Sequence, residues 1–225
     1  MIFYTRIYSQ KAQLINFKAI IYEDADIAVV DKPVGLASQA TASGKNSISN
    51  ILLDSWQPVH RLDQRVSGLL LLAKNNTSFA ILSKAFANRQ VTKKYRAVVA
   101  NQPPQASATL THWLLKDGKQ QKVKAFSKAV AHSTEAQLSY VLLRSSLKYH
   151  LLEISLQTGR FHQIRAQLAA INCAIVGDVK YGFKRTTLDG SIFLQSYYLA
   201  FTHPVTHAPL HFEIAMPELW HKYGL

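Results

Sequence analysis

The 225-residue chain carries 26 Lys and Arg against 13 Asp and Glu, a formal net charge of +13, and 48% of its residues are hydrophobic, so it builds a real core and is not a disordered polycation. No apolar run is long enough to span a bilayer, and residues 1–19 mix Arg6, Lys11 and Lys18 with polar side chains, which excludes a signal-peptide core and predicts a cytoplasmic protein. The single cysteine, Cys173, excludes an internal disulfide, and its neighbours Ile171, Ala174 and Ile175 make it a small buried filler, not a nucleophile.

The charge is unevenly spread. Residues 1–60 hold five basic and five acidic side chains, residues 61–150 hold fifteen and three, and residues 151–225 hold six and five. A concentrated excess points to a polyanionic partner, with nucleic acid first, whereas a solvated lysine face is the alternative that only folding separates.

Taken in order, residues 19–31 read as a hairpin whose turn is the acidic run Glu23 to Asp26. Lys32-Pro33-Val34-Gly35-Leu36 then breaks the strand. Residues 41–46 form a polar loop, and Ser47 is placed to cap a short helix ending at Ser55.

The stretch His60-Arg61-Leu62-Asp63-Gln64-Arg65-Val66-Ser67-Gly68 leads into the apolar run Leu69 to Leu72, which predicts a loop feeding a buried strand. Asp63 stands between two arginines, and the next 53 residues contain no Asp or Glu. Flanking guanidinium groups favour an ionised carboxylate, a possible nucleophile. A plain surface turn with ion pairs has the same spacing.

Asn76 or Thr77 then caps a helix carrying Phe79, Leu82, Ala85 and Phe86 on one side. Residues 91–99 form a strand in which Tyr95 shares a face with Lys93 and Ala97, either as a core tyrosine or as an aromatic platform beside a phosphate-binding face. Residues 109–115 and 123–130 make a hairpin around Asp117-Gly118 decorated by Lys116, Lys119, Lys122, Lys124 and Lys128, which touches nucleic acid if it lies at a cleft mouth and is merely solvated otherwise. A second antiparallel pair covers residues 134–143 and 149–156.

In Thr158-Gly159-Arg160-Phe161-His162-Gln163-Ile164-Arg165, the residues Phe161, Ile164, Leu168 and Ile171 fit one helical stripe with Arg165 at its border. An arginine there either pairs with an anion or snorkels to water. Residues 192–201 and 210–214 complete the strands. His203, His207 and His211 are four apart, but Pro204 and Pro209 break any helix that would align them, so no metal site is expected.

Together these motifs resemble the RluA family of RNA pseudouridine synthases. His60-Arg61-Leu62-Asp63 with Ser67-Gly68-Leu69-Leu70 is similar to the family's catalytic signature, with Val66 where Thr is usual. Val30-Asp31-Lys32-Pro33-x-Gly35-Leu36 resembles its opening motif, and Lys93-Lys94-Tyr95 its second. The run from Thr158 to Arg165, followed by Gly177-Asp178-x-x-Tyr181-Gly182, resembles its third. The closing strand departs from the usual His-Ala at Gln195-Ser196.

The resemblance implies an α+β fold, a mixed and mostly antiparallel sheet flanked by helices with a basic cleft, in one catalytic domain spanning residues 1–225. Relatives often carry an extra N-terminal RNA-binding domain, for which the segment before Ile20 is expected to be too short. It further implies isomerisation of uridine in transfer or ribosomal RNA by a monomer without cofactor or metal. Asp63 would react with a flipped-out uridine, by attack or by sugar deprotonation, while Arg165 pairs with it and Tyr95 stacks on the base and helps move its carbon-five proton. Arg61 would fill the vacated stack, Lys93 would ease the mismatch in the phenol's acidity, and His60, Arg160 and Ile164 complete the expected substrate-binding set. A non-catalytic RNA-binding module and a nucleoside hydrolase or glycosidase are the rival readings.

Overall fold

The hairpin expected at residues 19–31 forms one edge of the sheet, described from Ile20 on. In the computed structural model, which describes residues 20–39, 47–48, 56–118 and 120–225, Ile20–Glu23 (β1) pairs antiparallel with Ile27–Lys32 (β2). Asp24 closes the turn by accepting the N–H groups of Asp26 and Ile27 at 2.8 and 2.9 Å, the local bonding that suits Asp to turns. The helix expected from Ser47 to Ser55 lies, beyond its first two residues, outside the described residues.

Next come Gln57–Pro58 (β3) and Ser67–Ala73 (β4), which pair with each other, while β2 takes the opposite edge of β4. Leu69 and Leu71 face a cluster shared with Leu82 of the helix Asn76–Ala87 (α1); Leu70 and Leu72 face a larger core shared with Ile164 and Leu168. A strand covered on both sides needs apolar residues at every position, which is why this run does not alternate. Asn75, one residue before the expected Asn76, caps α1, because its extended backbone lets its side chain accept the N–H of Ser78 at 2.9 Å.

The remaining strands are Thr92–Val99 (β5), Ser107–Asp117 (β6), Lys122–Phe126 (β7), Thr134–Ser145 (β8), His150–Leu156 (β9), Leu194–Thr202 (β10) and Pro209–Glu213 (β11). They join one sheet in the order β1-β2-β4-β10-β5-β9-β8-β6-β7, with β11 on β10 and β3 on β4. Every pairing is antiparallel except β4 with β10. The sheet is thus mixed and mostly antiparallel with few helices. β7 is shorter than expected: beyond Phe126 the chain turns, and the hydroxyl of Ser133 bonds the N–H and the C=O of Val130.

The parallel contact of β4 and β10 lasts two residue pairs, Ser67 with Gln195 and Gly68 with Ser196. Gly68 has φ +120°, and a Cβ there would lie 2.7 Å from the backbone N of Ser196. Only glycine permits both the conformation and the approach. Past this point the strands diverge, and the loop before β4 is left directly beside β10.

The helix Gln163–Ala170 (α2) begins two residues later than the apolar stripe suggested. Ile164 and Leu168 enter the main core, but Phe161 precedes the helix and packs instead with Leu114, Val123, Ala136, Ala166 and Tyr181. The β6–β7 arm therefore rests on α2, the element that carries Arg165. The short helix Glu218–His221 (α3) closes the far end of the core with Trp220 stacked on Phe193. Among the described residues no helix is long and apolar enough to cross a membrane.

Candidate active site

Asp63 lies on the turn that enters β4, and three separate devices hold that turn. Val66 donates its N–H to the Asp63 carbonyl at 3.0 Å, closing the turn. The Ser38 hydroxyl bonds both the N–H and the C=O of Leu62 at 2.9 Å. Arg65 spends its guanidinium on the carbonyls of Gly190, Gly177 and Ser191, at 2.5, 3.1 and 3.3 Å. The flanking arginines thus do not act as the sequence suggested: Arg65 anchors the loop to a distant segment, and Arg61 is exposed.

The cation that meets Asp63 comes from α2. Arg165 Nη1 donates to Asp63 Oδ2 at 2.8 Å, across 102 positions. Its other donors go to Asp178, Nε to Oδ2 at 2.7 Å and Nη2 to Oδ1 at 2.8 Å. Arg165 is 5% exposed and Asp178 is fully buried, while the Asp63 side chain keeps 25% of its surface open. Burial works against the charge of Arg165, but the hydrogen bonds and charge of Asp178, together with Asp63, outweigh it and raise its pKa above the ordinary arginine value. One guanidinium therefore joins a buried structural carboxylate to a half-open one. The motif Gly177-Asp178-x-x-Tyr181-Gly182 had marked the segment without revealing that Asp178, not Asp63, is the fuller partner.

Asp63, Arg165, Tyr95, Arg61, Arg160 and Ile164 line one pocket with Leu62, Val66, Leu156, His162, Gln163 and Leu194; it holds about 410 Å³ of empty space open to solvent. Leu62, Val66, Leu156, Ile164 and Leu194 supply apolar surface and Arg61, Asp63, Arg160, His162, Gln163 and Arg165 supply polar surface, so the lining is mixed. Gln163 braces the rim by accepting from Thr158 Oγ1 and Arg160 N, at 2.8 and 2.9 Å, and donating to the Gln137 carbonyl at 3.0 Å. Burial pushes the Tyr95 phenol up to about 12, and the charge of Asp63 adds to the shift. Tyr95 is a neutral phenol over the physiological range.

Two expected site residues are not part of this lining. His60 Nε2 accepts the N–H of Leu71 at 3.0 Å, and its ring stacks on Phe86 at 4.8 Å. Lys93 sets its ammonium 5.1 Å from the Phe86 ring centre. Both therefore pack against α1.

Lys32 was quoted only as part of a motif, yet it is among the largest fully buried side chains of the described residues. Its ammonium donates to the carbonyls of Pro33 and Leu36 at 3.0 and 2.9 Å. Burial pulls its pKa down to about 8, with the charges of Asp63 and Asp31 opposing the shift. Because the folded pKa lies below the ordinary 10.5, the unfolded chain binds more protons between pH 8 and pH 10.5, and this group makes stability rise with pH across that window. Below the window the buried charge costs the fold about 3 kcal/mol. Lys32→Met is expected to flatten the rise when urea midpoints are compared over the same pH range, and an unchanged slope would assign the titration to another group.

Of the three spaced histidines, among the described residues only His203 enters a cluster, with Asp24 and Asp26. Its Nδ1 accepts the N–H groups of Val205 and Thr206, so its proton resides on Nε2 and is given to Asp24 at 2.8 Å. That bonding locks two turns together and leaves no nitrogen lone pair for an ion.

The sequence model of the RNA pseudouridylate synthase family matches residues 26–170. The chain belongs to this family. An uncharacterized RNA pseudouridine synthase of Aquifex aeolicus is 33% identical, the alignment covering 88% of this chain and 69% of that one. Ribosomal large subunit pseudouridine synthase C of Rickettsia prowazekii is 33% identical over 73% of this chain and 56% of its own. The structure of human RNA pseudouridylate synthase domain containing 4 superposes with a TM-score of 0.76 over 94% of each chain at 22% identity, which shows the shared fold. The RNA pseudouridine synthase is accordingly an isomerase of the RluA type, acting in RNA modification.

Proposed function

We propose that this pseudouridine synthase acts on a uridine swung out of a structured transfer or ribosomal RNA and that Asp63 is the group that reacts with it. The observation carrying this reading is the Asp63 carboxylate held at 2.8 Å by Arg165 beside the walls formed by Tyr95, Leu156, Ile164 and Leu194. A stacked uridine cannot present its sugar to a carboxylate, and extrusion costs a few kcal/mol, least in a loop. The apolar side chains of the lining favour a planar base, and the exposed Arg61, which also lines the pocket, would take its place in the stack.

The reaction breaks the bond from uracil N1 to sugar C1′ and forms one from C5 to C1′. The C5 proton leaves and N1 gains one, so atoms and charge balance without an added group. Asp63 either attacks the sugar or removes a sugar proton to start this sequence. Tyr95, a neutral phenol, is suited to stacking on the base and to donating a hydrogen bond; a phenolate base would be scarce at neutral pH. Purified protein incubated with transfer and ribosomal RNA transcripts is expected to produce pseudouridine at a defined uridine, read by carbodiimide adducts that stop reverse transcription. Release of free uracil instead would favour the glycosidase reading.

The lysine arm supports RNA as the partner. Lys116 and Lys122 place their ammonium groups 5.2 and 5.3 Å from the ring centres of Phe161 and Tyr181, the two rings that pack on His162 of the pocket lining. If they contact phosphates, the double variant Lys116→Ala/Lys122→Ala lowers RNA affinity roughly tenfold and reduces the log–log salt slope by about 1.5. Filter binding across a salt series checks this, and an unaltered slope would make the arm a solvated face.

A further inference from the structure

His162 contributes to the pocket wall, and neither the fold nor the assigned chemistry accounts for its setting. It precedes α2 with φ +50°, a left-handed conformation that costs a non-glycine residue on the order of 1 kcal/mol. Its ring stacks on Phe161 with centroids 3.9 Å apart and planes 18° from parallel, and meets the Tyr181 ring edge-on at 5.6 Å. The ring plane is thereby fixed. Nε2 then lies 3.4 Å from Asp63 Oδ2, and Nδ1 lies 3.0 Å from the Tyr181 hydroxyl.

Counting protons decides which nitrogen carries the hydrogen. The Val123 N–H donates to the Tyr181 oxygen at 2.9 Å, so that oxygen is an acceptor there. The phenol has one hydrogen of its own, and among the described residues its remaining polar contact is His162 Nδ1. If the phenol donates to Nδ1, the ring hydrogen is on Nε2, the nitrogen 3.4 Å from Asp63 Oδ2. The opposite tautomer would leave the phenol hydrogen without an acceptor and set the Nε2 lone pair against a carboxylate oxygen, two acceptors face to face. Burial, with Arg165 and Lys180 acting against protonation and Asp63 and Asp178 for it, holds the imidazole pKa at about 4, so the ring is neutral in the working enzyme.

We infer that His162, held by Tyr181 as its Nε2–H tautomer, is a positioning residue that joins Arg165 on Asp63 Oδ2 and so presents Oδ1 to the nucleotide. Oδ1 accepts no hydrogen bond among the described residues, while Oδ2 has two donors beside it. Two donors at one oxygen restrict rotation of the carboxylate, and a separation of 3.4 Å is of the kind that tightens in the substrate complex. The same chain reaches back through Tyr181 to the β6–β7 arm, whose Val123 N–H anchors it. The inference rests on Asp63 being the reacting group.

The test compares single-turnover rates at saturating RNA with RNA dissociation constants and melting temperatures for His162→Ala, His162→Gln and Tyr181→Phe. His162→Ala is expected to slow the turnover ~10–100-fold, the scale of a misplaced reacting group, with RNA affinity within about twofold of the parent. His162→Gln returns an N–H donor near the Nε2 position and recovers much of the rate. Tyr181→Phe frees the tautomer and slows the reaction, and combining it with His162→Ala adds nothing further, because both act through one chain. Long-range proton–nitrogen spectra of the parent should show the hydrogen on Nε2. A parent-like rate in His162→Ala or in Tyr181→Phe, a Gln variant no better than Ala, or a ring protonated on Nδ1 would overturn the assignment while an inactive Asp63→Asn still upheld the reaction itself. An active Asp63→Asn would instead remove the reading on which the assignment rests.

Discussion

Asp63→Asn is expected to reduce pseudouridine formation by at least about 10³-fold while leaving the fold and RNA affinity close to those of the parent. The substitution keeps the shape of the side chain and an oxygen able to accept the 2.8 Å bond from Arg165 Nη1. Arg165 is not left stranded, because its two other bonds go to Asp178. What disappears is the negative, nucleophilic or basic oxygen, and with it the only chemistry this side chain can offer. Single-turnover kinetics on a substrate RNA, filter binding and a urea melt separate the three quantities. A retained rate would assign the reaction to another group; joint loss of rate and affinity would make Asp63 part of the RNA-docking surface.

Local order was legible wherever neighbouring residues determine structure. The hairpin at β1–β2, the covered strand β4 and the alternating strand β5 follow from apolar periodicity and turn residues, signals that act over a few positions. The loop carrying Asp63 was readable for the same reason, since Ser67-Gly68 and the leucine run define where the strand begins. The resemblance then supplied the family and the partnership of Asp63 with Arg165, which no spacing rule reaches across 102 positions.

What escaped was set by tertiary geometry. Arg65 and Arg61 look equivalent around Asp63, yet the carbonyls of Gly177, Gly190 and Ser191 claim Arg65, and those groups are more than a hundred residues away. Phe161 has helical spacing from Ile164, but the left-handed turn at His162 swings it out of the helix and onto the β6–β7 arm. Lys32 reads as a strand-ending polar residue, and only the wrapped carbonyls of Pro33 and Leu36 explain a buried ammonium. His60 and Lys93 sit in or beside motif positions, but α1 passes close enough for Phe86 to take both. In each case the partner comes from an element distant in sequence or from the local course of the backbone, which leaves no mark in the pattern of the chain.

The buried ion pair behind the site carries the second large expectation. Asp178→Ala should destabilise the protein by about 3–5 kcal/mol, because it leaves the Arg165 guanidinium, 5% exposed, with Asp63 as its remaining carboxylate. Asp178→Asn retains one acceptor and should cost less. The pair does not have to be a net source of stability, since two charges removed from water recover little more than their desolvation cost. Arg165→Met/Asp178→Leu, which exchanges the pair for apolar groups of similar size, should therefore regain much of the stability lost in Asp178→Ala. It should remain inactive, because Asp63 would then lack the cation that aims it. Urea unfolding and single-turnover rates on the same variants distinguish the two roles. Recovery of both stability and activity in the double variant would show that Asp63 needs no guanidinium. Recovery of stability alone would place the value of Asp178 in holding Arg165 for the reaction, at no gain to the fold.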